Sequence, residues 1–176
     1  MQQGGALFEK LILDGFQAGL SWITILRKRD AFRTAFANFD PEKIARFDAK
    51  AIAALMDNSR IIRNRAKIEG TVVSARAWLE IETREGFSNF LWKFFDGRPQ
   101  QNGFHSRAQI PTQSAKSVAL SKGLKERGFK FCGPRQLSTT AICWTHETVQ
   151  RGAQCFFVKY SRRRSAAVYF SSGIPG

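Results

Sequence analysis

The stretch LFEKLILDGFQAGLSWITIL, residues 7 to 26, decides the fold of this chain. Read at 3.6 residues per turn, it is apolar on nearly every side, which predicts a helix inside the fold rather than on its surface. One stripe of this helix holds Leu7, Leu11, Ala18, Trp22 and Ile25. Most of its remaining surface is covered by Phe8, Ile12, Phe16 and Ile23.

Three residues interrupt this apolar pattern. Asp14 falls in the first stripe, between Leu11 and Ala18. A buried, unpaired carboxylate is costly, so an acid placed there is expected to have a partner or a function. Gly15 and Gly19 lie one turn apart, and each costs about 1 kcal/mol inside a helix. They predict a close backbone approach, a break in the helix, or both; the plainer interpretation is a core helix with a satisfied Asp.

The string DGFQAGLSWITIL, residues 14 to 26, resembles the pocket helix of the type I DNA-3-methyladenine glycosylases, the Tag family of helix-hairpin-helix glycosylases. The resemblance covers roughly residues 6 to 134 and includes NFDPEKIA, IIRNRAKI and IPTQSAKSVALSKGLKERGFKFCG. It implies an all-α, compact helical domain of the helix-hairpin-helix DNA glycosylase type, followed by an irregular C-terminal tail.

The periodicity of the chain independently predicts helices and no alternating strand before residue 134. The expected helices cover residues 31 to 36, 41 to 47, 48 to 56, 60 to 79, 87 to 95 and 114 to 127. Asp40 and Asp48 are predicted N-caps, with Pro41 at a first helical position. The helix from residue 60 is expected to carry Arg63, Arg65, Lys67 and Arg76 on its polar side. The helix from residue 114 is expected to turn Val118, Leu120 and Leu124 inward.

The charge of the chain predicts a polyanionic partner. Its 28 Lys and Arg against 14 Asp and Glu give a net charge of +14, which favours nucleic acid. A membrane surface or RNA is an alternative that rests on charge alone, and we find no basic amphipathic helix dedicated to a membrane. No stretch of 18 apolar residues and no signal peptide is recognised. Three cysteines do not suggest a disulfide framework, so we expect a cytoplasmic protein.

The resemblance implies a base-binding site on the pocket helix. The family cleaves the N-glycosidic bond of 3-methyladenine in DNA, and Asp14 would be the catalytic residue that accepts hydrogen bonds from the cationic base. Trp22 would stack on the flipped ring, Gln17 would help to shape the pocket, and Leu20 would wedge into the duplex. The family more often has Glu at the position of Asp14. Without the resemblance, these residues would be ordinary core or helix-surface residues.

Residues 128 to 133, GFKFCG, predict a tight hairpin with its apolar side chains turned inward. Such a hairpin can present backbone N–H groups to a phosphate, and a following helix would add its N-terminal dipole. In the family this hairpin grips the DNA backbone, which implies phosphate binding by Gly128, Lys130 and Gly133. A glycine helix cap followed by an apolar loop is the alternative interpretation of the same residues.

The chain departs from the family at both ends. Family members carry an N-terminal segment with pocket aromatics, and a structural zinc held by Cys and His pairs from the two ends. These ligands are not recognised here, so we predict neither metal nor other cofactor. Residues 135 to 176 form a divergent basic tail, expected to be poorly ordered and to reflect a shifted reading frame or recombination. A zinc site from Cys132, Cys143, His146 and Cys155 is a less favoured alternative, and His105 is expected to be exposed.

Two functions follow from the resemblance. The first is excision of 3-methyladenine from alkylated double-stranded DNA by a monomeric glycosylase. The second is a truncated relative that binds DNA without excising a base. Release of free base from alkylated DNA distinguishes them.

Overall fold

The computed structural model describes residues 2–95 and 112–137, and within these ranges it is helical and has no strand. The helices are α1 (Gln2–Gln17), α2 (Trp22–Arg27), α3 (Arg29–Ala35), α4 (Pro41–Ala45), α5 (Ala49–Asp57), α6 (Arg65–Arg84), α7 (Phe87–Trp92) and α8 (Ala115–Glu126). Short 3-10 turns cover Ala37–Phe39 and Lys93–Phe95, and residues 134–137 are helical. The predicted all-α fold class is confirmed.

An aromatic core joins α1 to the helices around it. Phe16 of α1 lies with its ring centroid 4.7 Å from Phe32 and 5.9 Å from Phe36, and all three rings are buried. These separations are typical of favourable aromatic pairs. Phe8, on the same helix, packs against Trp78 of α6. Helix α1 is therefore the buried element around which the others assemble, as its apolar sequence predicts.

Residues 7 to 26 form two helices, and the two glycines explain the break. A Cβ on Gly15 would lie 3.1 Å from the carbonyl oxygen of Phe131, so this glycine allows a close backbone approach. Gly19 has φ of +83° with open space around it, and α1 ends before it, at Gln17. Both predicted roles of the glycines are thus present. The prediction that Ile23 is buried is wrong: Ile23 is 53% exposed, because α2 does not continue the phase of α1.

Side-chain caps set the starts of several helices. Asp40 accepts from the amides of Glu42 and Lys43 at 3.0 and 3.4 Å, and Asp48 accepts from Ala51 at 2.8 Å, as predicted. Ser114 forms a reciprocal capping box with Ser117 at the start of α8. These interactions supply partners to amides that a helix start leaves unsatisfied.

Three details of the predicted helices are wrong. The helix expected over 60 to 79 runs from Arg65 to Arg84, because Asn64 caps it by accepting from the Lys67 amide at 3.1 Å. Lys67, expected on the polar side, is only 9% exposed. Val118, expected to face inward, is exposed, whereas Leu120 and Leu124 are buried as predicted.

Several expectations fall outside the described residues. They concern the polar connection before residue 112, His105, and the tail beyond residue 137. In the described ranges, no helix combines the length and the apolar character that a membrane span requires.

Candidate base-binding site and hairpin

Asp14 lies in the interior of α1 and is paired with a lysine of the same helix. The residue is 2% exposed. The Nζ of Lys10, one turn earlier, lies 2.6 Å from both carboxylate oxygens. Residues four apart face each other on a helix, so α1 itself brings the two charges together. The carboxylate is therefore buried, with a cationic partner that the sequence interpretation did not identify. The i, i+4 spacing of Lys and Asp was the available signal.

Trp22 is close to the same ammonium. The Nζ of Lys10 is 5.0 Å from the centroid of the Trp22 ring, within the range of a cation–π interaction. Trp22 is the first residue of α2, which begins after the cap residue Ser21. The buried Trp22 Nε1 has no hydrogen-bond partner within the described part of the chain. The structure thus brings Asp14 and Trp22, two predicted site residues, to a single cation.

The end of α1 and the loop that follows carry the other two residues predicted to contact the base or the duplex. Leu20, in the loop, is 39% exposed. The Nε2 of Gln17, the last residue of α1, lies 3.5 Å from the Leu20 carbonyl oxygen, so the two residues are neighbours. The loop is adjacent to Trp22, so the predicted pocket and wedge residues occupy one continuous segment.

Lys67 of α6 holds this loop in place. Its ammonium donates to the carbonyls of Phe16 and Ala18 at 2.9 and 2.7 Å. Burial lowers the pKa of Lys67, while the carbonyls at the C-terminal end of α1 favour its charged form. A sequence pattern that places Lys67 among surface cations misses this role, because the partners are backbone atoms about 50 residues away.

The hairpin after α8 is tight, as predicted, and most of it is packed inward. Gly128 has φ of +92°, and its amide donates to the Lys125 carbonyl at 3.0 Å. The Lys130 amide donates to Ser74 Oγ at 3.1 Å, while the Lys130 side chain is exposed. Phe129 and Cys132 are buried. Helical structure resumes over residues 134–137, directly after Gly133.

Phe131 connects the hairpin to the helix that carries Asp14. It has φ of +54° and is 42% exposed, so it is the exception to the predicted inward packing. Its backbone lies against Gly15, and its ring lies where a Cβ on Gly70 would be 2.8 Å away. The hairpin therefore contacts α1 one residue from Asp14, which brings the two groups of predicted site residues to neighbouring parts of the surface.

The cavity beside the hairpin is too small to hold a base. It lies between α1, α6 and the hairpin, has a volume of about 10 Å³, and is lined by residues that include Gly15, Lys67 and Phe131. Such a volume corresponds to about one water molecule. Asp14, Lys10 and Trp22 are not among the residues that line this cavity.

The described residues contain no cluster of three or more His, Cys, Asp or Glu suited to a metal ion. Cys132 does not have the surroundings of a ligand: it is 5% exposed, its Sγ lies 3.6 Å from the Phe129 carbonyl, and burial raises the pKa of its thiol. A cysteine must lose its proton and become a thiolate before it can bind zinc. Cys143, His146 and Cys155 lie outside the described residues, so the absence of zinc stays a prediction.

Comparisons with known proteins identify the family. The family model described as methyladenine glycosylase matches residues 1–141, and so continues past residue 134. The DNA-3-methyladenine glycosylase of Haemophilus influenzae is 51% identical over 128 residues, covering 72% of this chain and 69% of the relative. DNA-3-methyladenine glycosylase 1 of Escherichia coli is 44% identical over 140 residues, covering 79% and 72%.

Solved structures agree with these relatives. The 3-methyladenine DNA glycosylase I (TAG) of Staphylococcus aureus is similar with a TM-score of 0.74 and 39% identity, over 77% of this chain and 73% of that one. A variant of this type of enzyme, solved in complex with 3-methyladenine, also has a TM-score of 0.74 and 39% identity, over 77% and 74%. The fold, the sequence match and its extent together show that the chain belongs to the methyladenine glycosylase family.

Proposed function

We propose that this chain is a DNA glycosylase that removes 3-methyladenine from alkylated double-stranded DNA by flipping the base and hydrolysing its N-glycosidic bond. One observation supports the site in particular. Asp14 and Trp22 both contact a single cation, the Lys10 ammonium, and a carboxylate and an aromatic ring are the surfaces that a positively charged purine requires. Membership of the methyladenine glycosylase family supports the substrate.

The protein has to extrude the base and stabilise its positive charge, and the reaction requires little further catalysis. Methylation at N3 makes the base in DNA cationic and therefore a good leaving group. Extrusion from the duplex costs a few kcal/mol, and less for a damaged base. Asp14 would accept hydrogen bonds from the base edge and favour its cationic form. Trp22 would stack on the ring, in a cation–π contact of about 0.5–2 kcal/mol. Compared with the Glu more common in the family, Asp14 reaches one methylene less far.

The loop before Trp22 would keep the duplex open. Leu20 is exposed, apolar, and carried on a loop that Lys67 anchors to α6. An apolar side chain inserted between base steps partly replaces the stacking that the flipped base leaves behind. Gln17 lies beside Leu20 and would help to shape the pocket edge.

The hairpin would bind the DNA backbone without reading the sequence. The amides of Gly128 and Lys130 already donate within the protein. Phosphate contact at these positions would therefore come from the exposed Lys130 ammonium and the Gly133 backbone, with Gly128 setting the turn. The net charge of +14 supports this partner, because phosphate neutralisation dominates DNA affinity. We further expect a monomer acting in the cytoplasm.

The proposal is tested with Asp14→Asn. We expect this variant to lose at least a hundredfold in release of 3-methyladenine from methylated DNA, while its affinity for unmodified duplex stays within twofold. Asp30→Asn is the matched control, since the Asp30 side chain is 97% exposed and its loss changes the net charge equally. Unchanged release by Asp14→Asn would contradict the role of Asp14. Duplex binding by the wild type without release of base would favour the alternative of a DNA-binding relative that does not excise.

A further inference from the structure

The proposed function assigns no role to Lys10. Its ammonium contacts both oxygens of Asp14 at 2.6 Å and lies 5.0 Å from the centre of the Trp22 ring. The Lys10 side chain is 19% exposed, so a path to solvent remains, whereas the Asp14 side chain is only 3% exposed. The ammonium is therefore bound by the two groups proposed to bind the methylated base.

Two cations cannot share this position. The attraction between opposite charges is strengthened in a poorly solvated site, and so is the repulsion between like charges. A purine that hydrogen-bonds to Asp14 and stacks on Trp22 would have to take the place of the Lys10 ammonium. The lysine stem is flexible, and its head group is well hydrated once it reaches water.

We propose that Lys10 occupies the cation position when no base is bound and that an entering base must displace it. This inference rests on the proposed function. Lys10 then lowers the affinity for every base, and selectivity by charge comes from Asp14. When a cationic base replaces Lys10, Asp14 exchanges one positive partner for another. When a neutral base replaces Lys10, the buried carboxylate loses the charge of Lys10 and gains none, which is costly.

The first experiment compares base affinities in a variant without the ammonium. Free 3-methyladenine and adenine are titrated into the wild type and Lys10→Met at a pH low enough to protonate 3-methyladenine but not adenine, followed by tryptophan fluorescence and calorimetry. We expect Lys10→Met to bind 3-methyladenine about tenfold more tightly, equivalent to about 1.4 kcal/mol. We also expect its preference for 3-methyladenine over adenine to stay the same, because both bases are relieved of the same displacement.

Lys43→Met is the matched control. Lys43 pairs with Asp40 at 3.3 Å, three residues away on the same helix start, but its side chain is 68% exposed and lies outside the site. The substitution removes the same charge and leaves the Asp14 pair intact. We expect its affinities for both bases to equal those of the wild type.

Lys10→Arg provides a second test if Lys10→Met does not fold. A guanidinium can hold a carboxylate through two parallel hydrogen bonds and is harder to displace. We expect Lys10→Arg to bind 3-methyladenine at least threefold more weakly than the wild type. Equal or weaker binding by Lys10→Met would overturn the inference, as would equal or tighter binding by Lys10→Arg.

The outcomes separate this inference from the function on which it rests. Binding by the wild type with no gain in Lys10→Met would overturn the role of Lys10 and leave the glycosylase proposal standing. In that case Lys10 is a fixed counterion of Asp14 that stays in place beside the bound base. Failure of the wild type and both Lys10 variants to bind 3-methyladenine would overturn both proposals.

Discussion

Helix α1 carries two buried carboxylates five residues apart, Glu9 and Asp14, and their partners differ in kind. Glu9 is held by two guanidinium groups from α3: Arg29 Nε at 2.6 Å and Arg33 Nε at 3.0 Å. Asp14 is held by the ammonium of Lys10 from its own helix. Planar guanidinium groups arriving from another helix fix α1 against α3, whereas a flexible lysine four residues away can leave without moving any helix. The difference separates a carboxylate that joins two helices from one whose described ion pair lies within a single helix.

The largest expected effect on stability comes from Glu9. Glu9→Gln would remove the carboxylate charge that two partly buried guanidinium groups share, so we expect the free energy of unfolding to fall by about 3 kcal/mol. Urea denaturation measures this change. The folded fraction should still bind 3-methyladenine, because the substitution does not touch Asp14. Glu69→Gln, in an exposed pair with Arg65, is the control and should cost less than about 0.5 kcal/mol. A Glu9 variant as stable as this control would contradict the comparison.

The loop that follows Asp14 should depend on Lys67. Lys67→Met would leave the carbonyls of Phe16 and Ala18 without their donor in a largely buried place, at a cost of about 2 kcal/mol. We also expect excision to fall more than affinity for the base does. The loop that carries Leu20 would lose its anchor on α6, whereas Trp22 would keep its position. Lys50→Met, at an exposed position of α5, should change neither quantity. A Lys67 variant with normal excision would show that the loop keeps its conformation without the Lys67 hydrogen bonds.

The contact between the hairpin and α6 can be broken at one glycine. A Cβ on Gly70 would meet the Phe131 ring at 2.8 Å, so Gly70→Ala should push the ring aside and weaken duplex binding several-fold. The double variant Gly70→Ala/Phe131→Ala removes the clash and should recover binding towards that of Phe131→Ala alone. Fluorescence anisotropy with a short duplex measures both. Equal binding by Gly70→Ala and the wild type would show that the hairpin position does not govern DNA affinity.

The smallest expected effect concerns a carboxylate on the surface. Lys93, and then Arg127, lower the pKa of Glu85, a partly exposed group at the end of α6 that pairs with both of these residues. Its folded pKa lies below the unfolded value of about 4.3, so its stabilising contribution is complete well above that pH and is lost as the pH falls through the folded value. Glu85→Gln should remove this part of the acid dependence of Tm. An unchanged dependence between pH 3 and 6, roughly the window around these values, would exclude a contribution from Glu85.

The sequence predicted those parts of the fold that depend on local chemistry. Asp40 and Asp48 cap helices with side-chain oxygens that reach amides two or three residues later, so short-range patterns suffice. The two glycines of the pocket helix were likewise informative, since a helix interior tolerates them only where a break or a close contact needs them.

The parts that the sequence did not predict depend on distant partners. The sequence pattern predicts a surface position for Lys67, and its burial follows from its contact with the end of α1. Ile23 looks buried until the break at Gly19 turns α2 out of phase. Asp14 and Trp22 were predicted from resemblance, and their juxtaposition is found in the structure. Their roles with the base, and those of Gln17, Leu20, Gly128, Lys130 and Gly133, stay predictions.

The central claim is that Asp14 and Trp22 together hold a cationic purine, and the indole of Trp22 reports on it directly. The ¹H–¹⁵N signal of the Trp22 side chain, assigned with Trp22→Phe, can be followed while 3-methyladenine is added to the wild type and to Asp14→Asn at a pH low enough to protonate the free base. We predict a saturable shift of this signal in the wild type and none at the same concentrations in Asp14→Asn. A Trp22 signal that stays fixed while the base binds, or that shifts equally without the Asp14 carboxylate, would contradict the account.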